Sequence, residues 1–266
     1  MPVVRHESGP LRPFLLGPLE AWTQTGGPIA KLREVPFPGV PLVFTLDGAW
    51  ELEAPGTKAP ERLTSFVAGL HVAPALVQPT DRSWSCIELR LTPLAAHRIL
   101  GLPMHELTNR TVALADLVPE ARDLGDRLAN ASSWAARFDL IESFLLRRVA
   151  ASEIRAREVE WSWLELHRSA GRVAIGELAN ELGWSHRRLI ARFREQVGLA
   201  PKAAARVLRF DGAARALRSP SRTIGEVAFE CGYFDQAHLN RDFRELAGIT
   251  PRAFRDGALE TGGLAA

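Results

Sequence analysis

Cysteine is nearly missing from this chain: among 266 residues only Cys86 and Cys231 are cysteines. Two thiols cannot build a disulfide framework or a cysteine-only metal site. Long apolar runs are absent too, and nothing approaches the roughly 18 uninterrupted apolar residues that a membrane span requires. The first residues, Met1 to Glu7, carry neither a basic segment followed by an apolar run nor a small-residue cleavage site. The expected location is cytoplasmic. His6, His71, His97 and His105 are scattered without metal-ligand spacing, so no metal or cofactor is expected. The first 154 residues hold no Gly-x-Ser-x-Gly elbow, and their one thiol, Cys86, lies in a candidate strand as an inert, half-buried group. Catalysis is therefore not expected. Lysine is confined to Lys31, Lys58 and Lys202, a coding bias more than a functional signal.

What is present describes a globular protein with room for two domains: 46% hydrophobic and 24% charged residues, with mean hydropathy −0.05. The net charge of +2 is unevenly spread. Residues 155–257 carry 18 Lys+Arg against 13 Asp+Glu, and the remainder 15 against 18. A basic carboxyl-terminal module on a mildly acidic remainder suits polyanion binding by one domain.

Residues 1–91 are rich in Pro and Gly and contain short apolar runs. Val40–Leu46 reads as a strand entering a tight turn at Asp47-Gly48, with Trp50–Glu53 beyond it. Phe66–Val72 and Cys86–Leu91 are further strand candidates, the second alternating Ile87, Leu89 and Leu91 against Cys86, Glu88 and Arg90. Such strands suggest an antiparallel sandwich or barrel. The period then lengthens to that of a helix. Thr92-Pro93 opens a helix to about Leu100, and further helices are expected at about Leu114–Asn130 and Ser133–Ile154. The domain boundary falls in the charged stretch Ser152–Glu158. Helices follow at about 158–169, 175–182, 186–197, 201–218, 224–231, 236–247 and 251–256, and residues 258–266 read as a disordered tail.

The most informative feature is a repeat. Ile175/Ile224, Glu177/Glu226, Ala179/Ala228, Gly183/Gly232 and Trp184/Tyr233 match at an offset of 49 residues. Leu189/Leu239, Phe193/Phe243, Gly198/Gly248 and Pro201/Pro251 match at 50, because the second copy has one extra turn residue. Each copy reads as a helix, a sharp turn at a glycine and a second helix. Leu189 and Phe193 fix the inward side of one second helix; Leu239, Phe243 and Leu246 fix that of the other. Arg187, Ile190, Ala191 and Arg194 are left outward in the first copy, and Gln236, Asn240, Arg241 and Arg244 in the second. Such side chains read base edges when a helix lies in the major groove. Trp161, Trp163 and Trp184 are expected to pack rather than to stack on bases.

Residues 158–256 resemble the DNA-binding domain of AraC/XylS-family transcriptional regulators, most closely from Ile224 through Arg244 and Gly248 to Pro251. The resemblance implies seven helices, with two helix-turn-helix units joined by a long helix at about 201–218. The recognition positions it implies are Ser185, Arg187, Arg188, Ile190, Ala191 and Arg194, then Gln236, His238, Asn240, Arg241 and Arg244. Ile190 and Ala191 depart from the family by being apolar, which leaves Arg187 as the chief base reader of copy one, with Arg188, Arg192 and Arg194 nearer the phosphates. It also implies an amino-terminal β-rich domain, often cupin-like, with trailing helices, for effector binding or dimerisation. The fold class expected is thus α+β: residues 1–154 β-rich, residues 155–257 all-α. Double-stranded DNA is the expected partner, and RNA polymerase, a small-molecule effector and a second copy fit the same resemblance. Activation is more usual there than repression.

Overall fold

The computed structural model describes residues 2–6, 9–54, 59–154, 157–219, 221–257 and 264–265. Two eight-residue strands, β4 (Val40–Asp47) and β9 (Trp84–Leu91), set the layering of the amino-terminal domain. Side chains alternate across a strand. Leu42, Phe44, Ile87, Leu89 and Leu91 therefore face one way, into a core shared with helices. Val43 and Cys86 face the other way, into a core shared with Trp50 and Leu52 of a second sheet. The layers are sheet, sheet, helices.

The remaining strands are β1 (Val3–Arg5), β2 (Leu19–Gln24), β3 (Leu32–Glu34), β5 (Trp50–Glu53), β6 (Glu61–Leu63), β7 (Phe66–Ala68), β8 (Ala75–Pro79), β10 (Thr111–Ala113) and β11 (Leu264–Ala265). One sheet has the order β1-β2-β9-β4-β7-β10 and the other β11-β3-β8-β5-β6. Pairing is antiparallel, with Leu42 opposite Leu89 and Phe44 opposite Ile87. The expected β4–β5 turn is present, with Gly48 at φ +81. The helical layer is α1 (Pro93–Leu100), α2 (Leu114–Leu117), α3 (Ala121–Asn130) and α4 (Trp134–Ala151). Thr92 and Ser133 cap α1 and α4 by accepting from Ala95 and Ala136 N–H. The β-rich domain with trailing helices matches the expected class.

Three boundaries differ from the sequence expectation. The helix expected over 114–130 is two helices, because Pro119 bars its predecessor from helical geometry: Val118 sits at φ −134, ψ 89. The strand expected over 66–72 stops at Ala68. A Cβ on Gly69 would lie 2.0 Å from the Leu107 carbonyl oxygen, so the chain leaves the sheet there under a close backbone contact. The expected disordered tail falls mostly outside the described residues, but Leu264–Ala265 pairs with Leu32–Arg33 of β3. An open strand edge offers unpaired N–H and C=O groups that such a segment can satisfy.

The carboxyl-terminal domain comprises α5 (Arg157–Arg168), α6 (Ile175–Glu181), α7 (His186–Val197), α8 (Pro201–Leu217), α9 (Ile224–Glu230), α10 (Gln236–Leu246) and α11 (Pro251–Gly257). It has two cores, one per repeat. The first gathers Val159, Trp163, Leu166, Leu178, Leu189, Phe193 and Val197. The second gathers Phe210, Val227, Tyr233, Leu239, Phe243, Leu246 and Phe254. The long helix α8 serves both, giving Leu208 to one and Phe210, Ala213 and Leu217 to the other. Its opening Pro201 lacks only an N–H that a first helical turn would leave unpaired.

The two domains share a core. Leu70, just past the end of β7, is 2% exposed and belongs to the first helical core; Val72 packs against both helical cores. Thr108 donates its hydroxyl to the Gly198 carbonyl at 2.7 Å, at the carboxyl end of α7. α7 also packs on α1 and on the 3-10 turn Met104–Leu107.

Candidate nucleic-acid interface

Each repeat builds its turn the same way. Gly183 and Gly232 adopt φ +62 and +75, left-handed values that glycine alone takes at no steric cost. Trp184 N–H then donates to the Ala179 carbonyl and Tyr233 N–H to the Ala228 carbonyl, each at 2.9 Å. The second helix starts at a capping residue in both copies: Ser185 accepts from Arg188 N–H at 3.2 Å and Asp235 from His238 N–H at 2.7 Å. A cap of this kind stabilises a helix by about 1 kcal/mol and fixes where it begins.

Burial then orients the helix. Leu189, Phe193 and Val197 of α7 and Leu239, Phe243 and Leu246 of α10 are all 0% exposed, which seats one stripe of each helix on its core. Phe243 touches both Phe210 and Phe254, with ring centroids 4.7 and 5.4 Å apart, so α10 is fixed against α8 and α11. Arg206 of α8 adds a polar brace. It bonds the Asp242 carboxylate at 2.8 Å and also pairs with Glu245. Nearby, burial and the Asp242 charge raise the Tyr233 hydroxyl well above the usual phenol range.

The opposite stripes face solvent. Arg187, Arg188, Ile190, Ala191 and Arg194 are exposed on α7, as are Gln236, Arg241 and Arg244 on α10, while His238 and Asn240 are half-buried. Among the described residues Arg187, Arg194, Arg241 and Arg244 enter no ion pair, so their charge is available to a polyanion. Three of the expected recognition residues have structural duties. Ser185 is the cap of α7. Arg188 lies over the Trp184 ring at 4.4 Å, and its repeat mate His238 meets Tyr233 edge-on at 5.1 Å. The same position thus braces the turn aromatic in both copies.

Arg192 differs from the sequence reading. It pairs with Glu195 at 2.8 Å and lines a pocket with His97, Leu102, Pro103 and Ile154, on the side turned to the amino-terminal domain. The tryptophans pack as expected, with Trp163 4% exposed and Trp161 and Trp184 set against the first helical core. Sequence reasoning missed two residues near α10. Arg206 carried no signal, since its partners lie 36 and 39 residues away. Phe234, 93% exposed, is the extra residue of the second turn.

In the amino-terminal domain, burial and then the Glu88 charge push the Cys86 thiol far above the usual range, which keeps it protonated and unreactive. Among the described residues no group of three or more His, Cys, Asp or Glu could hold a metal ion. No helix among them is long and apolar enough to cross a membrane.

Comparison with known proteins bears on this geometry. The family described as "Helix-turn-helix domain" matches residues 178–257. The HTH-type transcriptional activator RhaS of Citrobacter koseri is 30% identical over 118 residues, covering 44% of this chain and 42% of its own length. RhaS of Klebsiella pneumoniae is 31% identical over 96 residues, covering 36% and 34%. The chain thus spans less than half the length of these relatives. Among solved structures, apo ToxT from Vibrio cholerae aligns with a TM-score of 0.50 at 11% identity, covering 90% of this chain and 96% of that one. ToxT with a bound unsaturated fatty acid gives 0.50 at 10%, covering 93% and 95%. At such identity the likeness speaks for the fold alone, and it extends over both domains. The paired turns, caps and buried stripes, with the family match, identify the carboxyl-terminal part of this chain as a helix-turn-helix domain of the AraC/XylS type.

Proposed function

We propose that the chain is a sequence-specific DNA-binding transcription regulator, acting as an activator, in which α7 and α10 enter two neighbouring major-groove segments. The observation that carries this reading is the repeated exposure of basic and amide side chains on two second helices whose opposite stripes are fully buried. Arg187, Gln236, Asn240 and Arg241 are the base readers, and Arg194 and Arg244 neutralise phosphates. Arg188 and His238 contact DNA as well as bracing their turns, and Ile190 and Ala191 touch thymine methyl groups. Ser185 holds the start of α7 against the backbone.

The amino-terminal domain binds a small-molecule effector or a second copy of the chain. Such an effector acts by favouring one arrangement of the helical domain over another. RNA polymerase is the partner that activation requires. The protein works in the cytoplasm and catalyses no reaction. An effector-independent DNA binder is the second reading.

Selection of random duplex DNA with the full chain, followed by footprinting, tests the proposal. The expected result is a site with two protected segments one helical turn apart, about 34–36 Å between centres. Recovery of no common sequence would defeat it.

A further inference from the structure

The second copy carries one more turn residue than the first, and the structure identifies it. Gly183-Trp184-Ser185 of copy one corresponds to Gly232-Tyr233-Phe234-Asp235 of copy two, with Ser185 and Asp235 as the caps. Tyr233 takes the place of Trp184 and its backbone bond, so Phe234 is the insertion. In copy one the residue before the cap, Trp184, packs against the core beneath α7, the arrangement of a hydrophobic staple. In copy two the residue before the cap is Phe234, and the staple is not made. Its would-be partner Leu239 is 0% exposed, and Phe234 is 93% exposed. Tyr233, 4% exposed, already fills the inner slot.

A phenylalanine fully in water is apolar surface with no role in the fold. Its place is specific: directly before the cap of α10, ahead of exposed Gln236, with Arg241 and Arg244 further along the same helix. The amino-terminal residues of a helix in the major groove are the ones that meet base edges. The major groove presents one apolar group, the thymine C5-methyl, and phenylalanine is among the side chains that pack on it.

We propose that Phe234 is a specificity-determining residue of the second helix-turn-helix, packing on the C5-methyl of a thymine at the edge of the segment that α10 reads. The inference rests on the DNA-binding reading above, and the flanking arginines favour DNA as the occupant of this apolar surface. Phe234 supplies shape and apolar contact at a base step where Gln236 supplies hydrogen bonds.

The test uses the full chain and a duplex recovered by random selection. Each thymine is replaced in turn by deoxyuridine, which lacks only the methyl group. The wild-type protein should lose about four-fold in affinity at one thymine of the segment protected by α10, the worth of one methyl group removed from water. Phe234→Ala should bind the all-thymine duplex about four-fold more weakly. It should also lose the thymine–uridine difference at that position, while keeping its preferences elsewhere. Phe229→Ala, which removes another exposed ring (85% exposed) from α9, should leave the difference intact. A thymine–uridine ratio unchanged in Phe234→Ala, or weakening equal on every sequence, would overturn the proposal while leaving DNA binding standing. Failure of the wild-type protein to select any sequence would instead overturn the reading beneath it. Melting of Phe234→Ala should match the wild type, since the ring touches no core.

Discussion

Removing Arg206 should be costlier than removing either carboxylate it holds, because only one of the three groups would be stranded away from water. The Asp242 side chain is 5% exposed, that of Glu245 53% and that of Arg206 31%. Breaking a fully buried pair typically costs 3–5 kcal/mol, since the remaining charge stays unsolvated. Water reaches a third of Arg206, so Arg206→Ala should cost about 2–3 kcal/mol, below that range. Glu245→Ala breaks only a half-exposed pair and should cost about 0.2–1 kcal/mol. Asp242→Ala leaves Arg206 with Glu245 and solvent, which places it between the two. Urea titration followed by helical circular dichroism measures the series, and Arg206→Lys, with one ammonium in place of a fork, should be intermediate. Equal losses for Arg206→Ala and Glu245→Ala would refute the argument, because burial of Asp242 would then carry no weight.

Arg241→Ala should weaken binding to the selected site by about 1–3 kcal/mol and relax preference at one base pair. Arg194→Ala should weaken all sequences alike and lower the salt slope by about one, as competition binding across salt concentrations would report. Gly183→Ala should cost about 1–2 kcal/mol, from strain at φ +62 with nothing within 4 Å of the new Cβ. Gly171→Ala adds overlap to strain: at φ +73 its Cβ would lie 2.2 Å from the Ala205 carbonyl oxygen. A cost of about 3–4 kcal/mol is expected there, and denaturation midpoints that move equally for both glycines would contradict it. Thr223→Ala should cost about 1 kcal/mol near neutral pH by removing the cap of α9. Hydrogen bonds from the Thr223 backbone and hydroxyl hold Glu226 below the usual carboxylate range. A depressed carboxyl contributes stability above its unfolded value and loses it as pH falls through the folded one, so the Thr223→Ala deficit should narrow below about pH 4.3.

The helix-turn-helix units were legible because they occur twice. Gly183 and Gly232 mark the turns, and the spacing of Leu189/Phe193 and Leu239/Phe243 is enough to fix which side is inward. Long strands were legible too, β9 from the alternation of Cys86–Leu91 and β4 from an apolar run that ends at the Asp47-Gly48 turn. Strands of three residues such as β3, β6 and β10 carry no period to detect, and they exist because neighbouring strands offer an edge. Pro119 was a readable break that the surrounding helical pattern obscured. Contacts between distant segments stayed hidden. Nothing local in Leu70 distinguishes a strand residue from one that fills a helical core, and Arg206 meets Asp242 only once α8 and α10 are in place. Phe234 lay between these cases: the extra residue was visible, but its exposure was not.

The hydrogen bond from Thr108 to Gly198 makes α7 a member of both halves of the protein. Its front end meets the outside world, and its back end rests on α1 and the Met104–Leu107 turn like a beam let into a wall. α10 leans chiefly on α8, α9 and α11, and the core it helps form meets the amino-terminal domain through Val35 and Val72. A displacement of the sandwich is therefore expected to reach the first half of the proposed operator through this hydrogen bond and the α1 contact, and the second half through Val35 and Val72, which pack against its core. Footprints taken after loosening the joint by Thr108→Val should fade first over the half that α7 occupies.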